Sequence, residues 1–174
     1  MEITRNKLTR EQEHFFYRLR NYLETPIYFY GSIQRSDYVI GKSDIDVDIF
    51  TENEESMKIK LANFLKKDFT KFKEIIWRLK NNKVVSGYKI MYHDKLNDFN
   101  VEISIYNEKH KKYVLKEHNH KFKLNIIALF ILYILKTIYY KLSLINQPIY
   151  AYLKKKILSF GSNTEDDDFI VIKM

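Results

Sequence analysis

The sequence predicts an α+β domain: a mixed, mostly antiparallel sheet flanked by helices and followed by a short C-terminal helical region. Residues 44–50 alternate strictly, with Asp44, Asp46 and Asp48 on one side and Ile45, Val47 and Ile49 on the other, the period of a strand with one packed face. Residues 84–92 and 99–106 are apolar runs joined by a loop of roughly five residues around Asn97-Asp98, the pattern of an antiparallel hairpin. Apolar residues at helical spacing open and close the chain.

Each element follows from local chemistry. Thr9-Arg10-Glu11-Gln12 has the form of a capping box, and Phe15, Phe16, Leu19, Tyr22 and Leu23 follow on one helical face. A helix over 9–24 is expected, ended by Pro26. Residues 27–30 read as a short buried strand stopped by Gly31, and 33–43 as a connection turning at Gly41. Met57, Leu61, Phe64 and Leu65 mark a helix within 54–68, and 75–79 reads as a further strand. The last third predicts helices over about 108–117, 121–145 and 148–158, with Pro148 in the first turn of the third. Residues 161–168 are polar and expected to be mobile, while 169–173 either pair onto a sheet edge or stay loose. The expected organisation is a core over 1–107, a helical region over 108–160 and a polar tail over 161–174.

With 174 residues and 45% hydrophobic content, the chain can bury a core. It has no cysteine, which excludes disulfides, thiolate zinc sites and a cysteine nucleophile. A net charge of +8 favours polyanionic partners such as nucleic acid. The N-terminus is polar and charged, without the form of a signal peptide, so an intracellular location, cytoplasmic or nuclear, is expected. Residues 126–135 are almost unbroken apolar, but Lys136 and Lys141 follow within the same window, each costing about 2.5–3.5 kcal/mol on insertion scales. The segment is therefore read as a buried core helix, and no membrane association is expected.

Tyr30-Gly31-Ser32 lies eleven residues ahead of Asp44-Ile45-Asp46-Val47-Asp48. Carboxylates on one strand face are costly unless a cation sits among them, and Mg²⁺ prefers oxygen ligands and substrate phosphates. Glycine allows a turn that aims backbone amides outward, and Ser32 adds a hydroxyl donor, together a nest for phosphates. Arg35, Lys42 and Ser43 are candidates for further triphosphate contacts by proximity alone. On the returning strand Asn100, Glu102 and Ser104 share a face opposite Phe99, Val101, Ile103 and Ile105. If that strand lies beside 44–50, Asp44, Asp46 and Glu102 meet, the number of carboxylates a two-metal site requires. Asp48 reads as a solvated acid at the strand end.

At these residues the chain resembles the polymerase-beta-like nucleotidyltransferase superfamily. The resemblance covers about residues 26–107 and lies in Tyr28-Phe29-Tyr30-Gly31-Ser32 and in Lys42-Ser43-Asp44-Ile45-Asp46-Val47. In size the chain is closest to the minimal nucleotidyltransferases, and Val101-Glu102-Ile103-Ser104-Ile105-Tyr106-Asn107 is similar to the third motif of terminal uridylyl- and noncanonical poly(A) transferases, which usually carry Asp where this chain has Glu102. The resemblance implies Asp44, Asp46 and Glu102 as catalytic metal ligands for Mg²⁺, with Mn²⁺ as a substitute, and phosphate binding by Gly31 and Ser32. The implied reaction moves a nucleoside monophosphate from an NTP to a hydroxyl acceptor, with the charge favouring a nucleic-acid 3′ end. Adenylyl-type transfer to a small molecule or a protein stays open, as does a nucleotide- or nucleic-acid-binding module without turnover. Glu102 turned away from the two aspartates, or that pocket plugged by a lysine, would require the enzymatic reading to be abandoned.

Other residues are read more plainly. His93, His110, His118 and His120 are expected on the surface with no role. Trp77 and Tyr88 are expected to pack in the core. Lys154-Lys155-Lys156, near Tyr150 and Tyr152, could meet a nucleic-acid backbone or form a solvated helix face.

Overall fold

The computed structural model describes residues 2–79, 81–122, 124–162 and 169–172. The elements run α1 (Arg10–Leu23), β1 (Ile27–Tyr30), β2 (Ile45–Thr51), α2 (Glu54–Leu65), β3 (Lys73–Arg78), β4 (Val84–Asp94), β5 (Phe99–Asn107), α3 (Lys111–Phe122), α4 (Ile126–Tyr140), α5 (Gln147–Ser162) and β6 (Phe169–Ile172). The strands form one sheet in the order β1-β2-β5-β4-β3-β6. Only β2 and β5 are parallel; the remaining neighbours are antiparallel. This is the α+β arrangement expected from the sequence. A parallel pair needs a crossover, here made by α2, β3 and β4.

Local signals explain the element ends. The capping box forms: Gln12 N donates to Thr9 Oγ1 at 3.3 Å, and Thr9 N donates to Gln12 Oε1 at 2.9 Å. Helix α1 closes on Glu24 in a left-handed conformation, just ahead of Pro26. Asn53 caps α2 and Asn125 caps α4 through their side-chain oxygens. That second cap divides the single long helix expected over 121–145, so α3 extends to Phe122 and α4 starts at Ile126. The expected strand over 44–50 begins at Ile45, whose ladder partner is Val101, leaving Asp44 as the last residue of the preceding loop. The segment 169–172 pairs with β3; residues 163–168 and 173 lie outside the described residues.

The two faces of the sheet carry different loads. One packs against α1 and α2 through Ile27, Phe29, Ile45, Val47, Ile49, Val101, Ile103 and Ile105, closed by Phe16, Leu19, Leu23 and Leu61. The opposite face holds a smaller apolar cluster of Phe50, Ile75, Trp77, Val85 and Tyr106, covered by Val114 of α3. Trp77 and Tyr88 pack as expected, Trp77 at 2% exposure and Tyr88 half-buried against the larger cluster.

Helix α4 corrects an expectation. It is not a buried core helix: Ala128, Leu132, Leu135 and Lys136 face inward, while Ile126, Ile127, Phe130 and Tyr133 are each more than half exposed. The apolar run covers the whole circumference, and the domain buries only one stripe of it. Among the described residues no helix is long and apolar enough to cross a membrane.

Candidate active site

Sheet register assembles the site in rows. On the face opposite α1, Tyr30, Asp46, Glu102 and Met91 occupy successive strands β1, β2, β5 and β4. The next row holds Tyr28, Asp48, Ser104 and Lys89, and the third brings Phe50, Tyr106 and Gly87 together. Going down the strands, the face changes from acidic to mixed to apolar.

Gly31 follows β1 with φ +70, in the left-handed region that favours glycine. Its α-carbon faces the Asp46 carboxylate so closely that a methyl group there would collide with it. Gly31 and Ser32 open a short 3₁₀ turn, and Ser32 is buried. The N-terminal segment straps this turn: Asn6 Nδ2 donates to Ile33 O at 2.8 Å and to Arg35 O at 2.7 Å, and buried Gln34 Nε2 donates to Ile3 O at 2.8 Å.

Asp46 is the most perturbed acid of the site. Burial, then the neighbouring Glu102 and Asp44 carboxylates, push it from 3.8 to about 7, with Lys154 and Arg35 opposing. Glu102 therefore stands beside Asp46 and is not turned away from it. Its Oε1 accepts from Tyr30 OH at 3.2 Å and lies 2.7 Å from Lys89 Nζ. Lys89 reaches it from β4, with β5 between that strand and β2. The lysine thus meets the same carboxylate oxygen that Tyr30 reaches from β1, and the charges that act most on Asp46 are Glu102, Lys154, Asp44 and Arg35. Burial and then Glu102, Asp48 and Asp46 raise Tyr30 well above its ordinary value, so it remains a hydrogen-bond donor.

Asp48 and His118 overturn two expectations. Asp48 is not a solvated strand-end acid: its side chain has 0% exposure, and its Oδ2 lies 2.8 Å from Nε2 of His118. His118 is not a surface residue in a linker; it projects from α3 and its ring stacks on Tyr30 at 3.9 Å and 17°. The reason is topological, since β2 is interior to the sheet and α3 covers this row. His93 lies on the surface as expected, within 2.9 Å of Asn100 Oδ1.

The remaining candidates divide between the loop interior and its surface. Arg35 is buried, donating from Nε to Asp37 Oδ1 at 2.7 Å and from Nη2 to Oδ2 at 3.2 Å. Lys136 of α4 also reaches inward, 2.9 Å from Asp37 Oδ2, 2.7 Å from Asp37 O and 3.2 Å from Ser43 Oγ. Ser43 Oγ also accepts from Val39 N at 3.1 Å, so its hydroxyl is turned into the loop. Burial lowers the Lys136 ammonium to about 8 against the pull of Asp37. Burial alone would raise Asp37, but Arg35 and then Lys136 hold it below its ordinary value. Lys42 is exposed, 3.7 Å from Asp98. Sequence reasoning missed Lys89, Asp37, Lys136 and Gln34; a lysine inside an apolar helical run was the one available signal.

Asp44 and Asp46 have the chemistry for one hard divalent ion: two carboxylates separated by one residue, the second ionising against its neighbours and backed by a glycine that leaves it room. The expected three-carboxylate set is different. Among the described residues no three Asp, Glu or His side chains are gathered to hold a metal ion, and Glu102 is engaged by Lys89. No family model matches this chain, and neither curated proteins nor solved structures give a match.

Proposed function

We propose that this chain is a Mg²⁺-dependent nucleotidyltransferase, moving a nucleoside monophosphate from an NTP to a hydroxyl acceptor and releasing pyrophosphate. The observation that carries the reading is the contact of Gly31 with Asp46. It joins the turn suited to phosphate and the acid suited to a cation in one unit. Asp44 and Asp46 would hold Mg²⁺, which, when bound, offsets negative charge on the triphosphate and acidifies the attacking hydroxyl. Gly31 and Ser32 present amides and a hydroxyl to the phosphates. The acceptor oxygen forms a bond to the α-phosphorus as the bond to the bridging α–β oxygen breaks. Glu102, beside Asp46, takes the hydroxyl proton, and Tyr30 and Lys89 fix its carboxylate. Lys154, which acts on Asp46 and lies 5.9 Å from the Tyr150 ring centroid, brings positive charge to the same edge. With +8 overall, a nucleic-acid acceptor suits the surface best.

The test is transfer of label from α-³²P-NTPs in Mg²⁺ or Mn²⁺, offered RNA, protein and small hydroxyl acceptors. Label on RNA that disappears with Asp46→Ala supports the reading; label on protein or a small product redirects the acceptor. No transfer to any acceptor, with nucleotide binding retained, sinks it. That outcome favours a second reading, a nucleotide-binding module without turnover, to which the hold of Lys89 on Glu102 lends support.

A further inference from the structure

We propose that Lys89 makes this a one-ion site: its ammonium occupies the place on Glu102 that a second divalent ion would need, and Asp44 and Asp46 hold a single ion shared with the nucleotide phosphates. This rests on the nucleotidyl-transfer reading and specifies its metal stoichiometry. Lys89 lies opposite Ser104 in the β4–β5 ladder, two residues along from the partner of Glu102. That diagonal lies within reach of a long side chain on the same sheet face, and Nζ comes to 2.7 Å from Oε1 of Glu102. The pair is mostly buried, at 18% and 24% side-chain exposure. Tyr30 OH donates to the same oxygen at 3.2 Å, so Oε1 already meets two donors. Tyr30 is in turn held by its stack on His118, which pairs with Asp48. A divalent ion on Glu102 would sit beside a like charge fixed by two strands, and the pair would have to break to admit it. On the β2 side Asp46 is faced instead by the bare α-carbon of Gly31, close enough that a methyl group there would collide with its carboxylate.

The stoichiometry can be counted. Mn²⁺ is titrated into the full chain with a non-hydrolysable α,β-methylene NTP, and bound ion is read by electron paramagnetic resonance. About one protein-bound Mn²⁺ per bound nucleotide is expected for the wild type. Lys89→Met should raise this to about two, while Lys89→Arg, which keeps the cation, stays at about one. Two ions on the wild type would overturn the inference and leave nucleotidyl transfer standing. One ion on Lys89→Met would also overturn it, because the lysine would not be what excludes the second. Nucleotide or Mn²⁺ binding by none of the three proteins would remove this inference and the functional reading together. Should Lys89→Met fail to fold, Lys89→Gln, which removes the charge and keeps a polar side chain, takes its place with the same expected count of about two.

Discussion

Asp46→Asn tests whether the acidic edge is maintained at a cost in stability. Burial, with Glu102 and Asp44 adding to it, moves the Asp46 carboxyl from 3.8 to about 7. That separation corresponds to about 4 kcal/mol between protonation states. The folded chain binds the Asp46 proton more tightly than the unfolded chain. Its contribution is therefore fully present below the unfolded value of 3.8 and is lost as pH rises through about 7. At pH 8 the wild type carries nearly all of this cost. Asn keeps the shape and removes the charge, so the variant should be more stable there by about 2–4 kcal/mol. Near pH 4 the difference should shrink below about 1 kcal/mol. Urea denaturation in EDTA at the two pH values, followed by fluorescence of the single tryptophan, Trp77, measures both. Mg²⁺ with NTP should then stabilise the wild type at pH 8 and not the variant. Equal stabilities at pH 8, or a gain of the same size at both pH values, would refute the claim that Asp46 ionises against its neighbours.

Three further substitutions probe the supports of the site. His118→Ala removes the ring that stacks on Tyr30 and lies against buried Asp48 and should cost about 1–3 kcal/mol in urea unfolding, with a double-mutant cycle against Asp48→Asn showing coupling of at least about 0.5 kcal/mol; additive losses would mean the pair does not interact. Lys136→Met leaves Asp37 to Arg35 alone and should cost about 3 kcal/mol, with faster protease cleavage within 31–44 if this lysine anchors the loop. Gly31→Ala places a methyl group at φ +70 against the Asp46 carboxylate and should cost about 2 kcal/mol or more, together with nucleotide affinity measured by calorimetry; normal affinity would separate the turn from phosphate binding.

Features readable in the sequence were those fixed by neighbours a few residues away. The capping box at Thr9 and Gln12, the stop at Gly31 and the alternation through β2 each need one turn or one strand to act, and each formed. Pairing Asp46 with Glu102 needed one topological assumption, that β2 lies beside β5, and the parallel ladder supplies it. Lys89 was hidden because a diagonal cross-strand contact exists only once register is set. Asp48 was misread because periodicity gives the face of a strand and not what covers it; the cover comes from α3, seventy positions later at His118. The hydrophobic run of α4 reported that something apolar lay there, but an all-round apolar helix carries no signal for which stripe is buried.

Asp46 and Asp48 show why one strand can carry two different acids. They are two residues apart on the same face of β2, so backbone geometry treats them alike. What differs is the compensation above them. Asp48 lies against the His118 imidazole inside the fold, 2.8 Å from its Nε2, and it has no exposed surface on which to receive an external ion. Asp46 meets the bare α-carbon of Gly31 and two further carboxylates, and Lys154 and Arg35 offset them only in part, since its carboxyl still stands at about 7. On the nucleotidyl-transfer reading, a cation arriving with a triphosphate would favour Asp46, because Lys89 already pairs with Glu102 and Asp48 is closed in against His118. Selectivity for that position would then follow from what surrounds each acid, rather than from how many the strand carries.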